Sequence, residues 1–101
     1  MERNDSGQPS VFHLVLTGEL DLADRERLLE LLRPAEAAED VVIDVREVPY
    51  MDSTALGCLV RLKRKQLERG NGSVRLTNVE PTVERLLRLT GLDQLFEITN
   101  D

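Results

Sequence analysis

The chain has 101 residues, 41% hydrophobic and 32% charged, a balance that fits one globular domain and excludes a disordered chain. Nineteen acids oppose thirteen bases for a formal charge of -6, which argues against nucleic acid or an anionic membrane surface as the main partner. One cysteine, Cys58, and one histidine, His13, exclude an intramolecular disulfide and a cysteine metal cluster.

The first ten residues, Met1 to Ser10, are polar and turn-rich and predict a mobile tail. Residues 11–101 then form the single domain. Val11-Phe-His-Leu-Val-Leu-Thr17 predicts a strand, and its nearly continuous apolar run predicts cover on both faces. Gly18 ends it. Asp21 or Asp24 can cap a helix whose apolar stripe is Leu28, Leu29, Leu31 and Leu32. Pro34 ends or kinks that helix, and Ala35 to Asp40 is either a short continuation or a loop. Val41-Val-Ile-Asp-Val45 predicts a second strand. After a connection from Arg46 to Met51, a second helix runs from near Ser53 toward Glu68, with Leu56, Leu59, Val60 and Leu67 on its apolar face. Gly70 is placed to stop it, and Asn71-Gly72 makes a turn. Val74 to Val79 alternates as a third strand. Pro81 opens a third helix with Val83, Leu86, Leu87 and Thr90 at helical spacing. Gly91 closes it with Leu92 packing back, and Leu95 to Thr99 forms a short last strand. The order β-α-β-α-β-α-β predicts an α/β fold with a largely parallel sheet and right-handed crossovers.

With no Trp, one Tyr and two Phe, the core of this fold has to be aliphatic. No apolar run is long enough to span a membrane, and the first ten residues carry no apolar signal segment, so the cytosol is the expected location. Functional groups in such sheets collect beyond the carboxyl ends of the strands. Two loops qualify: Gly18-Glu19-Leu20-Asp21 and Tyr50-Met51-Asp52-Ser53-Thr54-Ala55-Leu56-Gly57. Asp52, Ser53 and Thr54 are each good helix caps, and a cap alone accounts for their grouping. The sharper reading is a phosphorylatable hydroxyl, since the first turn of a helix tolerates an anion. Glu19, Asp21 and Asp52 could be read as a metal site of the receiver-domain kind, but no lysine follows the third strand to complete one, and no metal is expected. His13 reads as a strand residue with a satisfied ring and Cys58 as packing. Arg61, Lys63, Arg64 and Lys65 read as a solvated face that pairs with acids.

Four segments in register carry a resemblance over Val11 to Thr99. They are Leu16-Thr-Gly-Glu-Leu-Asp-Leu22, Val41 to Val45, Tyr50-Met-Asp-Ser-Thr-Ala-Leu-Gly57 and Leu89-Thr-Gly-Leu-Asp-Gln-Leu-Phe96. The chain resembles the STAS family, the fold of bacterial anti-sigma factor antagonists. The resemblance implies a single STAS domain with a parallel or mixed sheet of four to five strands and three main helices. The family's usual first strand would come from the polar tail. It further implies phosphorylation at Thr54, the hydroxyl residue after Asp52-Ser53, with Ser53 as the alternative acceptor. Family antagonists commonly have Gly where this chain has Ala55, so a methyl group is expected beside the acceptor. Glu19, Asp21, Met51, Asp52, Ser53, Thr54, Ala55 and Gly57 are the expected partner-binding residues.

The same resemblance implies a switch. The unphosphorylated protein would bind an anti-sigma factor that is a kinase of the histidine-kinase-like ATPase fold, freeing a sigma factor. ATP-dependent phosphorylation would end the interaction, and a metal-dependent Ser/Thr phosphatase would reset it. The protein would be substrate and ligand in that cycle, with no cofactor of its own and no enzyme activity. The alternative is a STAS adaptor that does not switch, in a membrane lipid-transport complex or a stress-signalling assembly. A nucleotide-binding module is a third reading that no specific residue supports.

Overall fold

The computed structural model describes residues 11–70 and 72–100. The polar segment 1–10, with the extra strand expected of it, and Asn71 of the expected turn lie outside the described residues. Strands and helices alternate as β1 (Val11–Thr17), α1 (Arg25–Leu32), β2 (Asp40–Glu47), α2 (Ser53–Arg69), β3 (Ser73–Thr77), α3 (Pro81–Thr90) and β4 (Glu97–Thr99). Short 3-10 turns at Leu22–Asp24 and Arg33–Ala37 flank α1, and a third at Leu92–Gln94 follows α3.

The four strands form one sheet in the order β1-β2-β3-β4, and every pair is parallel. Val41 lies between Phe12 and Val74, and Ile43 between Leu14 and Leu76. Each crossover therefore steps one strand in the same direction. Right-handed connections that step the same way all fall on one face of a sheet. The core lies on that face: Leu16, Val41, Ile43, Val45, Val74 and Leu76 of the sheet share one buried cluster with helix residues such as Leu28, Leu32, Leu59, Leu62, Val83 and Leu87.

The opposite face is not covered by these helices, which corrects the expectation that β1 is buried on both sides. Val11 is 50% and Val15 is 62% exposed, and His13 between them is exposed as well. The apolar run reflects only half a buried strand, because a one-directional winding leaves no helix for the second face. His13 is thus a strand residue on the open face of the sheet.

Boundaries shift for local reasons. The first helix enters through a 3-10 turn capped by Asp21, and a reciprocal bond from Asp21 N–H to Asp24 completes the capping box. The segment after Pro34 continues as 3-10 helix to Ala37 and is not a loop. β3 stops at Thr77, two residues early, because Asn78 turns into the left-handed region at φ 60°. Gly91 stops α3 at φ 78°, with its N–H on the Arg88 carbonyl, and Leu92 packs against the core. The Leu95 N–H bonds the Leu92 carbonyl, so that turn stays helical and the last strand begins at Glu97.

Candidate functional site

The loops after β1 and β2 meet through a single parallel bridge, Leu20 to Met51. Leu20 N–H donates to the Tyr50 carbonyl at 3.0 Å, and Asp52 N–H donates to the Leu20 carbonyl at 3.1 Å. Both bridge residues are buried, at 1% and 2% exposure. Extended backbone alternates its side chains, so Glu19, Asp21, Tyr50 and Asp52 turn outward around them. Met51 thereby anchors the loop, with its side chain in the core.

Asp52 is the helix cap. Its carboxylate accepts from Ala55 N–H at 3.1 Å, and its carbonyl takes the first helical bond, from Leu56 N–H. That leaves the Ser53 and Thr54 hydroxyls without hydrogen bonds among the described residues. Ser53 is exposed and Thr54 half-buried. Ala55 is only 1% exposed, so its methyl joins the core.

Thr54 forms part of the wall of an open groove of about 360 Å³ between the start of α1 and α2. Leu22, Arg25 and Leu29 line one side, and Ser53, Thr54, Gly57, Cys58 and Arg61 the other. Leu22 is 70% exposed at its rim. Gly57 leaves the floor empty: a Cβ built there would meet nothing within 4 Å. Cys58 is buried beneath it, and burial pushes its thiol above the ordinary value against the pull of Arg25 and Arg61. The surroundings of Thr54 are therefore cationic on one side.

The acidic residues part company. Glu19 lines a separate depression with Thr17, Gly18, Arg46, Glu47, Pro49 and Glu80. Asp21 caps the 3-10 turn that delivers Arg25 to the groove. Among the described residues, no three His, Cys, Asp or Glu side chains converge into a set that could hold a metal ion. The cations of α2 also separate. Arg61 pairs with Glu36 at 2.8 Å, while Lys63 donates to the Gly72 carbonyl at 2.7 Å. Leu67, expected in the core, is 54% exposed, and Leu62 and Gln66 take the inward positions.

The sequence reading missed Leu22, Arg25 and Gln66. Leu22 and Arg25 become conspicuous only when α1 lies beside α2. Gln66 is fully buried, and its amide donates to the carbonyls of Glu39 and Ser73 at 3.2 and 3.0 Å. Among the described residues, no helix is long and apolar enough to cross a membrane.

The STAS domain family model matches residues 3–101. A relative from Bacillus subtilis, an anti-sigma-B factor antagonist, is 36% identical over 85 residues, covering 83% of this chain and 77% of its own. The solved structure of the anti-sigma factor antagonist SpoIIAA in its unphosphorylated form superposes with a TM-score of 0.76 at 23% identity, covering 94% of this chain and 83% of that one. SpoIIAA in its phosphorylated form gives a TM-score of 0.69 at 22% identity, over 94% of this chain and 86% of that one. Those two likenesses speak for the fold.

Proposed function

The chain belongs to the STAS domain family, and from that premise we propose that it is an anti-sigma factor antagonist switched by phosphorylation at Thr54. The observation that carries this reading is the half-buried Thr54 hydroxyl, without a hydrogen bond among the described residues, on the wall of an open groove. The cap role that would otherwise explain Asp52-Ser53-Thr54 falls to Asp52 alone.

In the unphosphorylated state, the groove and the exposed Leu22 and Tyr50 around the Leu20–Met51 bridge receive an anti-sigma factor. Occupation of that factor releases a sigma factor. The anti-sigma factor is itself a kinase of the histidine-kinase-like ATPase fold. It moves the γ-phosphoryl of ATP to Thr54 Oγ1. A new O–P bond replaces the hydroxyl O–H, the bond to the β-phosphate oxygen breaks, ADP leaves, and the proton passes to a base of the kinase. A Ser/Thr phosphatase reverses the state by hydrolysis. A dianion placed in the interface costs about 2–5 kcal/mol if it is desolvated without a partner, enough to weaken binding about thirty-fold or more without refolding.

The test is a paired capture from the native host's lysate with tagged Thr54→Ala and Thr54→Glu proteins, identified by mass spectrometry. The expected result is an ATPase-fold kinase held by the alanine form and lost by the glutamate form. That kinase with ATP and Mg²⁺ then adds one phosphate, mapped to Thr54. Transport subunits or a signalling scaffold held equally by both forms would overturn the switch in favour of the adaptor. A phosphate mapped to Ser53 would move the acceptor by one residue.

A further inference from the structure

We propose that the groove between α1 and α2 is the binding site for the phosphate of phosphorylated Thr54 itself, with Arg25 as the residue that takes it. The proposal rests on Thr54 as the modified residue and deepens that reading.

Three independent features point to an anion in this groove. The first is charge. The chain carries -6 overall, yet the two charged side chains lining the groove are Arg25 and Arg61. They come from different helices and line the same groove as Thr54 and as Cys58, one turn further along α2. The second is availability. Arg61 is engaged by Glu36 at 2.8 Å, on a carboxylate side chain that is only 27% exposed. Arg25 makes only a 3.4 Å contact with its neighbour Glu26, whose side chain is 89% exposed. A pair that exposed is worth little, so the Arg25 guanidinium is available to a better acceptor. A phosphate is that acceptor, because its oxygens match the two parallel donors of the guanidinium fork.

The third feature is room. Gly57 lies three residues from Thr54 on the same helix face and has open space where a Cβ would be. Glycine within a helix costs about 1 kcal/mol relative to alanine. Among the described residues no contact demands it, and the open space above it leaves volume for a phosphate. The charged groups at the groove are then Arg25 from α1 with its neighbour Glu26, Arg61 from α2 with its partner Glu36, and Asp52 at the cap of α2. The phosphorylated state holds its own dianion against α1. The partner meets a filled groove with Arg25 withdrawn, as well as added charge.

The experiment installs phosphothreonine at position 54 during translation, so no kinase is needed and the outcome is independent of whether one acts there in the cell. The probe is the phosphate's own ³¹P resonance, titrated across its second ionisation. The expected midpoint lies about one pH unit below that of a phosphothreonine peptide. Arg25→Gln returns it most of the way to the peptide value. Arg61→Gln moves it less, and Arg25→Lys restores part of the effect by charge without the fork. A peptide-like midpoint in the unsubstituted protein would overturn the proposal. A lowered midpoint that Arg25→Gln leaves unchanged would also overturn it, since the helix end alone would then hold the phosphate. Amide spectra of each variant establish that the fold is retained. Failure of the switch, by contrast, is read only from the lysate capture and phosphate mapping.

Discussion

The two ends of α2 are built to opposite rules. At its far end the helix is closed onto the sheet. Gln66 donates to two backbone carbonyls at the starts of β2 and β3, Lys63 reaches the Gly72 carbonyl, and Arg69 reaches that of Ala38. There is no slack: a Cβ on Gly72 would stand 2.5 Å from the Glu39 carbonyl oxygen and 2.9 Å from the Gln66 amide carbon. At the near end, Thr54 and Ser53 carry hydroxyls without hydrogen bonds among the described residues, Gly57 faces open space, and Leu22 projects at the rim. The far end spends its polar groups on the chain's own backbone, which registers the helix over the sheet. The near end leaves groups and volume unused by the fold, which is what a docking or modification site requires.

The contrast is broken most directly at Gly72. Gly72→Ala puts a methyl into backbone and should destabilise the fold by about 3 kcal/mol, read from denaturant unfolding. Unchanged stability would mean that the far end is looser than its contacts. Gln66→Leu comes next. The carbonyls of Glu39 and Ser73 lose the Gln66 donor, and the expected loss is about 1–2 kcal/mol with no loss of partner capture by the protein that remains folded. Gly57→Ala tests the near end and should have the opposite sign. Stability rises by about 1 kcal/mol from helix propensity, while capture of the partner falls because the floor is filled. A variant that is more stable and binds equally well would show that the groove is not the docking surface.

The smallest effect belongs to Cys58. Burial holds its thiol above the ordinary value of 9.0 in the folded state, so the unfolded chain loses the proton first. Its contribution to stability is whole below pH about 9 and is lost as pH rises through the folded value. Cys58→Ala should flatten that part of the stability profile, and an identical decline in both proteins would count against the burial.

Local chemistry made much of this molecule legible in its sequence. Apolar periodicity gives the alternation of strands and helices. Asp52 starts α2, Pro81 starts α3 and Gly91 ends it, because capping and backbone preference act within a few residues. The Asp52-Ser53-Thr54 grouping was visible for the same reason, and the four segments in register pointed to the STAS family. Three things were decided only by tertiary structure. The winding of all crossovers in one direction bared the second face of β1, which no apolar run in Val11 to Thr17 can announce. The Leu20–Met51 bridge turned Met51 inward, and the helix phase buried Ala55 and Gln66 while exposing Leu67. The pairing of α1 with α2 brought Arg25 to the groove beside Thr54, across 29 positions of chain. A sequence states which groups are available at each position. Which of them face one another depends on contacts between distant segments, and those exist only once the sheet and its helices have packed.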